Sequence, residues 1–395
     1  MRLLFVADGR SPTALSWISH FVEQGHEVHL ASTFACSPGL PLASLQVVPV
    51  AFSGLKSDAS QGSNHQARTN LGTVQLRTAA RQWLGPLTLP TAARQLGEFI
   101  ERLQPDLVHA MRIPYEGMVA ALAKPSMPLL ISVWGNDFTL HAKSTPLMGH
   151  YTRLSLQRAG ALHTDCQRDM RLAQALGYPT SRPKIVLPGN GGIRLDVFYP
   201  SAEADIMQSG TSRGDQVYPV INPRGMRAYV RNDTFFQAVP LVAARLPGVR
   251  FYCPAMADAA QARHWVDEMG LSGWVDLLPL QTRAQMADLY RRSLVAVSPS
   301  THDGTPNTLL EAMACGCFPV AGDIESLREW ITPGENGLLF DPGNPGTLAQ
   351  AILIGLEQPD LRRRARGYNL ELVASRAEYR QVMAQAEQFY SQLVK

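Results

Sequence analysis

Long apolar runs are missing from this 395-residue sequence. The most apolar later stretch, Met118 to Val133, is interrupted by Lys124, Pro125 and Pro128, so it does not span a bilayer. The N-terminal run from Leu3 to Ala7 ends at Asp8, too short for the apolar core of a secretory signal, and a cytoplasmic location is expected. Charge imbalance is equally scarce. The 36 basic and 33 acidic residues leave +3, which disfavours a dedicated nucleic-acid binder. Cysteine is sparse, odd in number and scattered: Cys36, Cys166, Cys253, Cys315 and Cys317. Cys315-x-Cys317 lacks a second pair at zinc-ligand spacing, so buried free thiols in a reducing compartment are the expectation.

Several signatures of chemistry are absent too. No Asp-x-Asp metal pair occurs; the nearest run, Asp323-Ile324-Glu325, reads as a helix start. Neither a Gly-x-Ser-x-Gly elbow nor a Walker lysine loop is present. The first strand is not followed by Gly-x-Gly-x-x-Gly, which disfavours a nicotinamide enzyme. With 31 glycines and 28 prolines, the composition falls short of a collagen-like or disordered chain.

What is present is an alternation of short apolar runs and helical patterns. Leu3 to Ala7 reads as a buried strand, and Ala14, Trp17, Ile18, Phe21 and Val22 follow helix spacing up to Gly25. Glu27 to Leu30 begins the next strand, completing a βαβ unit. Leu107–His109, Leu129–Val133, Ile185–Leu187, Tyr218–Asn222, Val249–Tyr252, Val275–Leu277 and Val295–Val297 continue the series. That pattern over this length predicts an α/β protein of two doubly wound parallel-sheet domains facing across a cleft. Asp196 to Gln216, rich in Pro, Ser and Gly, is the expected joint, and residues 53 to 66 are expected to be a loop. Arg68, Arg77, Arg81 and Arg94 read first as a solvated helix face, with an anionic lipid or acceptor as the minor alternative.

The most informative region runs from Ser298 to Trp330. A strand ends at Val297, a turn follows at Gly304, and a helix is expected to start within Thr305-Pro306-Asn307-Thr308. Free N–H groups at such a start suit a diphosphate. Asp303 and Glu311 bracket it, and either carboxylate can accept hydrogen bonds from sugar hydroxyls.

This segment resembles the carboxylate–x7–carboxylate signature of the retaining glycosyltransferases of family 4 (group 1), which have the GT-B fold of two Rossmann-like domains. Other stretches are similar in order: Gln24 to Val28, Pro105 to Ala110, Lys184 to Phe198 and Gly334 to Leu339. The resemblance implies a nucleotide-sugar donor, UDP- or GDP-linked, a hydroxyl acceptor, no cofactor and no metal. It implies that Asp303, standing where glutamate is usual, meets the transferred sugar, and that Glu311 holds the ribose. Gly304 to Thr308, with Gly9 and Arg227, are expected on the donor, and Arg224 and Arg231 on its diphosphate. Trp134-Gly135-Asn136-Asp137 stands where the family often has His-Gly-x-Asp. Trp134 reads equally as a sugar wall or as core packing, and Asp137 and His109 join it as candidate sugar or acceptor contacts. The expected division is 1–200, 201–372 and a final helix, 373–395, returning to the first domain. Peripheral contact with the inner face of a membrane is the minor expectation for location. A nucleotide-sugar epimerase or hydrolase of the same fold, and a catalytically silent nucleotide-sugar binder, are the alternatives.

Overall fold

The computed structural model describes residues 1–51, 53, 81–201 and 217–395. Arg68, Arg77, most of the loop expected over 53–66 and most of the expected joint lie outside the described residues. The chain divides into an N-terminal unit, residues 1–191 with 383–395, and a C-terminal unit, residues 192–382.

The N-terminal unit is built on a seven-stranded parallel sheet of order β3-β2-β1-β4-β5-β6-β7. Its strands are β1 (Arg2–Ala7), β2 (Glu27–Ser32), β3 (Ser44–Val47), β4 (Leu107–Met111), β5 (Leu129–Val133), β6 (Ala161–Thr164) and β7 (Lys184–Val186). The helices are α1 (Pro12–Glu23), α2 (Leu89–Leu103), α3 (Met118–Ala123), α4 (Pro146–Arg158) and α5 (Gln167–Ala175). Strands β4 and β5 are buried at every residue because helices cover both faces of the sheet, which is why they are apolar but for His109 and Ser132.

The C-terminal unit holds a six-stranded parallel sheet of order β10-β9-β8-β11-β12-β13. Here β8 is Tyr218–Ile221, β9 Val249–Cys253, β10 Val275–Leu277, β11 Val295–Ser298, β12 Phe318–Gly322 and β13 Leu338–Phe340. The helices are α6 (Asn232–Ala243), α7 (Ala260–Glu268), α8 (Arg283–Arg292), α9 (Asn307–Ala314), α10 (Pro345–Glu357), α11 (Pro359–Ala377) and α12 (Tyr379–Val394). The last turns of α12 belong to the N-terminal unit, where the Tyr390 ring stacks on Phe21 at 4.5 Å.

Both sheets reverse direction once. β1 lies between β2 and β4, and β8 lies between β9 and β11. Loops leaving the carboxyl ends of such a strand pair diverge to opposite faces, and the crevice they leave is where open α/β sheets bind ligands.

The helix expected at Asp323 does not form. Asp323 instead accepts from Arg328 Nε at 2.6 Å, and only a single 3₁₀ turn, Leu327–Glu329, follows. The cysteines are free, four of them buried and Cys36 partly exposed.

Candidate functional site

In the C-terminal unit, two loops meet at the reversal point between β8 and β11. The first leaves β8 through Asn222-Pro223-Arg224-Gly225, with Gly225 at φ +62°, a conformation that L side chains rarely adopt. Buried asparagines tie it together. Asn222 Oδ1 accepts from the Arg224 amide at 3.2 Å, and Asn222 Nδ2 donates to Asn232 Oδ1 at 3.0 Å. Asn232 Nδ2 in turn donates to the Gly225 carbonyl at 2.9 Å. The second loop runs on from β11, and the two are stitched by main-chain bonds from Thr301 to Tyr229 and from Arg231 to Pro299.

That frame brings Arg224 onto Asp303. Arg224 Nη2 donates to Asp303 Oδ2 at 2.5 Å, and Nη1 donates to Thr308 Oγ1 at 3.1 Å. The guanidinium is buried, with a side-chain exposure of 6%, so it can be held only by partners that satisfy its charge. Asp303 also accepts from the Gly304 amide, and Ser326 Oγ fixes the Asp303 carbonyl. Thr305 is packed beneath, taking a hydrogen bond from Trp330 Nε1.

Beyond Asp303, α9 starts at Asn307 after Pro306 with no capping side chain and no acidic residue in its first turn. Its first N–H groups have no intrahelical acceptor, and the helix dipole adds partial positive charge there. Arg224 Nε, Ser298 Oγ, Ser300 Oγ and Asn307 Oδ1 are buried with no hydrogen-bond partner among the described residues. Four orphaned polar atoms around one loop are more than a core tolerates without reason, and a polar ligand supplies one.

Glu311 lies just inside the same helix. Tyr290 Oη donates to its Oε2 at 3.4 Å, and burial pushes the carboxyl up to about 7 despite the opposing pull of Arg283. Folding therefore favours its protonated form. The associated stability is present at low pH and lost as pH rises from the ordinary carboxylate range through neutrality.

Asp303, Gly304, Thr305, Pro306, Asn307, Thr308, Arg224 and Glu311 thus fall within one constellation of loop and helix start. Two arginines do not join it. The Arg231 guanidinium is committed to Asp233, with Nε–Oδ1 at 2.8 Å, and Arg227 is exposed and donates to Tyr229 Oη. Asn222, Asn232 and Ser326 are essential to the frame but carry no sequence signal, since single polar residues in loops are commonplace.

In the N-terminal unit, Gly9 follows β1 and donates its amide to Ser32 Oγ at 3.1 Å. A Cβ there would lie 2.4 Å from Cys36 Sγ, so that thiol would have to move aside. Trp134 follows β5 and is half-buried, with Nε1 unpartnered among the described residues and Arg112 over its ring at 5.7 Å. Asp137 departs from expectation. It is fully buried and accepts from Arg112 Nη2 at 2.9 Å and from the amides of Trp134 and Ile113, so it braces two loops instead of facing a sugar.

His109 is likewise a core residue, only 1% exposed, and therefore not placed to touch an acceptor. Its neighbours fix every proton along a buried chain. His163 Nε2 faces the Leu187 carbonyl at 2.8 Å and must donate, so His163 Nδ1 accepts from Ser132 Oγ. Ser132 then accepts from His109 Nε2, and His109 Nδ1 accepts from Tyr390 Oη. Trp17 Nε1 donates to Tyr390 at 2.9 Å and closes the chain. Burial holds both imidazoles neutral, pushing His163 down to about 4.

Among the described residues, one group has metal-ligand proximity. Asp165, Cys166 and Asp169 bring ligand atoms within 4.8 Å of one another, all buried. Arg168 already donates to Asp169 Oδ1 at 2.7 and 2.9 Å, the Gly135 amide donates to Asp165 Oδ2, and burial holds the Cys166 thiol protonated.

Comparison with known proteins agrees with the geometry. Residues 8–191 match the model of the glycosyl transferase 4-like domain, and residues 225–358 that of the glycosyl transferases group 1. D-inositol 3-phosphate glycosyltransferase of Mycolicibacterium smegmatis is 30% identical over 169 residues, 40% of this chain and 39% of that protein. The Mycobacterium tuberculosis (strain F11) enzyme of the same name is 30% identical over 184 residues, 44% of this chain and 38% of its own. The match thus spans less than two fifths of those relatives' length. Among solved structures, sucrose-phosphate synthase of Thermosynechococcus elongatus superposes with a TM-score of 0.73 at 17% identity, covering 100% of this chain and 99% of that one. Anabaena HepE in complex with UDP gives a TM-score of 0.72 at 15% identity, covering 99% and 100%. With a parallel α/β unit on each side of the domain division and a family match to each, the chain belongs to the group 1, family 4 glycosyltransferases and has the GT-B fold.

Proposed function

We propose that the chain transfers a sugar from a nucleoside-diphosphate donor to a hydroxyl acceptor, with retained anomeric configuration and without a metal ion. The observation that carries this reading is the buried Arg224–Asp303–Thr308 constellation beside the uncapped start of α9. HepE has been solved with UDP and with UDP-glucose, which supports a UDP-sugar as the first donor to try.

In this reading the donor diphosphate lies at the α9 N-terminus against Arg224, which stabilises the negative charge released as the bond from the anomeric carbon to phosphate breaks. Asp303, fixed by Arg224, accepts a hydroxyl of the transferred sugar, and Glu311 accepts the ribose hydroxyls. The acceptor oxygen forms the new bond to the anomeric carbon, its proton is released, and the nucleoside diphosphate departs. Arg231 and Arg227 are left as secondary phosphate contacts, reachable only by leaving Asp233 and Tyr229. Incubation with UDP- and GDP-sugars and a hydroxyl acceptor panel, with the product anomer read by proton NMR, tests the reading. Inverted product, or donor loss with no acceptor consumed, contradicts it.

Glu311 gives the assignment a pH signature. Ribose hydroxyls donate to the ionised carboxylate, so binding draws off the proton that burial retains. Uridine or guanosine, which have no titrating phosphate, should bind about tenfold more tightly at pH 8 than at pH 6, following the ionised fraction of a group near 7. Glu311→Gln should flatten that profile. An identical pH dependence in the glutamine variant would remove Glu311 from the ribose.

Metal independence follows from the same cations. Arg224 and the helix start do the electrostatic work that a divalent ion performs beside an Asp-x-Asp pair. Transfer should persist in excess chelator. Loss of activity on chelation, restored by magnesium or manganese, would overturn this and direct attention to Asp165, Cys166 and Asp169.

A further inference from the structure

Behind Glu311 stands a buried hydroxyl that the reaction as described does not use. Helix α8 opens on a capping box: Thr282 Oγ1 accepts from the Gln285 amide at 3.3 Å, and Gln285 Oε1 accepts from the Thr282 amide at 2.9 Å. The helix packs against α9 and brings Tyr290 into the apolar cluster that holds Leu309, Leu310 and Met313. Tyr290 is wholly buried, with its ring centre 6.1 Å from that of Phe198. Its carbonyl accepts from Cys317 Sγ at 3.0 Å, and the same thiol reaches the Ser293 carbonyl at 3.3 Å. The second cysteine of Cys315-x-Cys317 therefore closes the end of α8.

A phenol fixed at both ring and main chain has little choice of where its hydroxyl goes, and a buried hydroxyl needs an acceptor. Here the acceptor is Glu311 Oε2, at 3.4 Å. No other hydrogen bond to Glu311 occurs among the described residues, so Oε1 is left over. The charged and titratable groups around this pair are few. Arg283 acts on Glu311 from the start of α8, and Arg224 acts on the phenol from the loop after β8. Cys315 and Cys317 carry thiols that burial keeps protonated, and burial likewise pushes the Tyr290 phenol well up, so it remains a donor throughout the neutral range.

We propose that Tyr290 is a positioning residue for the nucleoside: its phenol anchors Glu311 Oε2 and so presents Oε1 to the ribose hydroxyls. The ribose rests on the transferase reading; the anchoring of Glu311 stands on the C-terminal unit alone. The bond is long while the carboxyl keeps its proton, and it tightens once ribose draws that proton off, because an ionised acceptor holds its donor more closely. Losing the hydroxyl therefore harms the ionised form more than the protonated one.

Uridine is titrated by calorimetry into the wild type, Tyr290→Phe, Glu311→Gln and the double variant, from about pH 6 to about pH 8.5. Tyr290→Phe weakens uridine about three- to tenfold at neutral pH, and the gap narrows to about twofold at the alkaline end as the profile moves up by about one unit. In the Glu311→Gln background the same substitution changes affinity about twofold or less. A gap that is equal at every pH, or that survives in Glu311→Gln, marks a merely structural tyrosine and overturns the proposal.

Thermal melts of the same four proteins need no nucleoside. Folding raises the Glu311 pKa to about 7, so its contribution to stability is present at low pH and is lost as pH rises, levelling off above neutrality. Each melt series, read against its Glu311→Gln counterpart, levels off about one unit higher in Tyr290→Phe. Levelling at the same pH in both overturns the anchoring. Uridine that fails to bind the wild type, or that binds Glu311→Gln with an unaltered profile, sinks the ribose reading and leaves the melts to decide Tyr290. Should Tyr290→Phe not fold, carbon NMR of labelled tyrosine in the wild type takes its place: one Cζ signal titrates near neutrality and loses that step in Glu311→Gln. Absence of such a signal overturns the proposal as well.

Discussion

Replacing Arg224 with alanine should lower sugar transfer about a hundred- to a thousandfold, the usual effect of removing one preorganised donor from a developing negative charge. The side chain is buried, its two terminal nitrogens are fixed by Asp303 and Thr308, and it sits beside the start of α9. In the transferase reading it therefore meets the departing diphosphate without reorganising, and Arg231 is not poised to replace it, being turned onto Asp233. Arg224→Lys keeps the charge and loses the fork, so an intermediate rate is expected. Stability needs separate treatment, because the alanine variant takes from Asp303 its buried cationic partner. Arg224→Ala/Asp303→Ala removes the stranded charge and should recover melting temperature without recovering activity. Wild-type turnover in a folded Arg224→Ala protein would place the diphosphate elsewhere.

Much of this site was legible because its residues are close in sequence. The eight-residue separation of Asp303 and Glu311 spans one loop and about one helical turn, so local rules alone bring them together. The buried strands were equally plain, as β5 and β11 are apolar but for one serine each, Ser132 and Ser298. Strands that carry other patterns were not. β3 (Ser44–Val47) alternates in exposure at the sheet edge, and β12 opens Phe318-Pro319. β6 (Ala161–Thr164) contains His163, a residue rarely expected in a core. Its burial becomes affordable only through Ser132 and the Leu187 carbonyl, contributed by other strands and loops. His109 shows the same difficulty at longer range. Its proton donor, Tyr390, lies 281 residues away, and nothing in the vicinity of His109 announces it. A histidine at the end of a parallel strand is consistent with a site or with a satisfied core, and long-range partners decide which.

Asp137→Ala should destabilise the N-terminal unit by about 2 to 6 kcal/mol, about 1 to 3 kcal/mol for each of two amides that loses its buried acceptor. The carboxylate is fully buried and serves three donors: the Arg112 guanidinium and the amides of Trp134 and Ile113. Alanine would leave both amides without that acceptor, while Arg112, 28% exposed and also donating to Asn136 Oδ1, keeps water and a second partner. Asp137→Asn keeps the shape but replaces one acceptor oxygen with a donor facing those same N–H groups. It should lie between the wild type and alanine. Chemical denaturation of the three proteins measures the difference directly, with donor binding as the control. The C-terminal unit carries the proposed nucleotide contacts, so UDP affinity should fall only where the chain unfolds. A folded Asp137→Ala protein of wild-type stability that had lost sugar transfer would return Asp137 to the role of a substrate contact. The expected pattern, lost stability with a native-like response to UDP below the melting temperature, identifies it as the brace that sets where Trp134 and Arg112 stand.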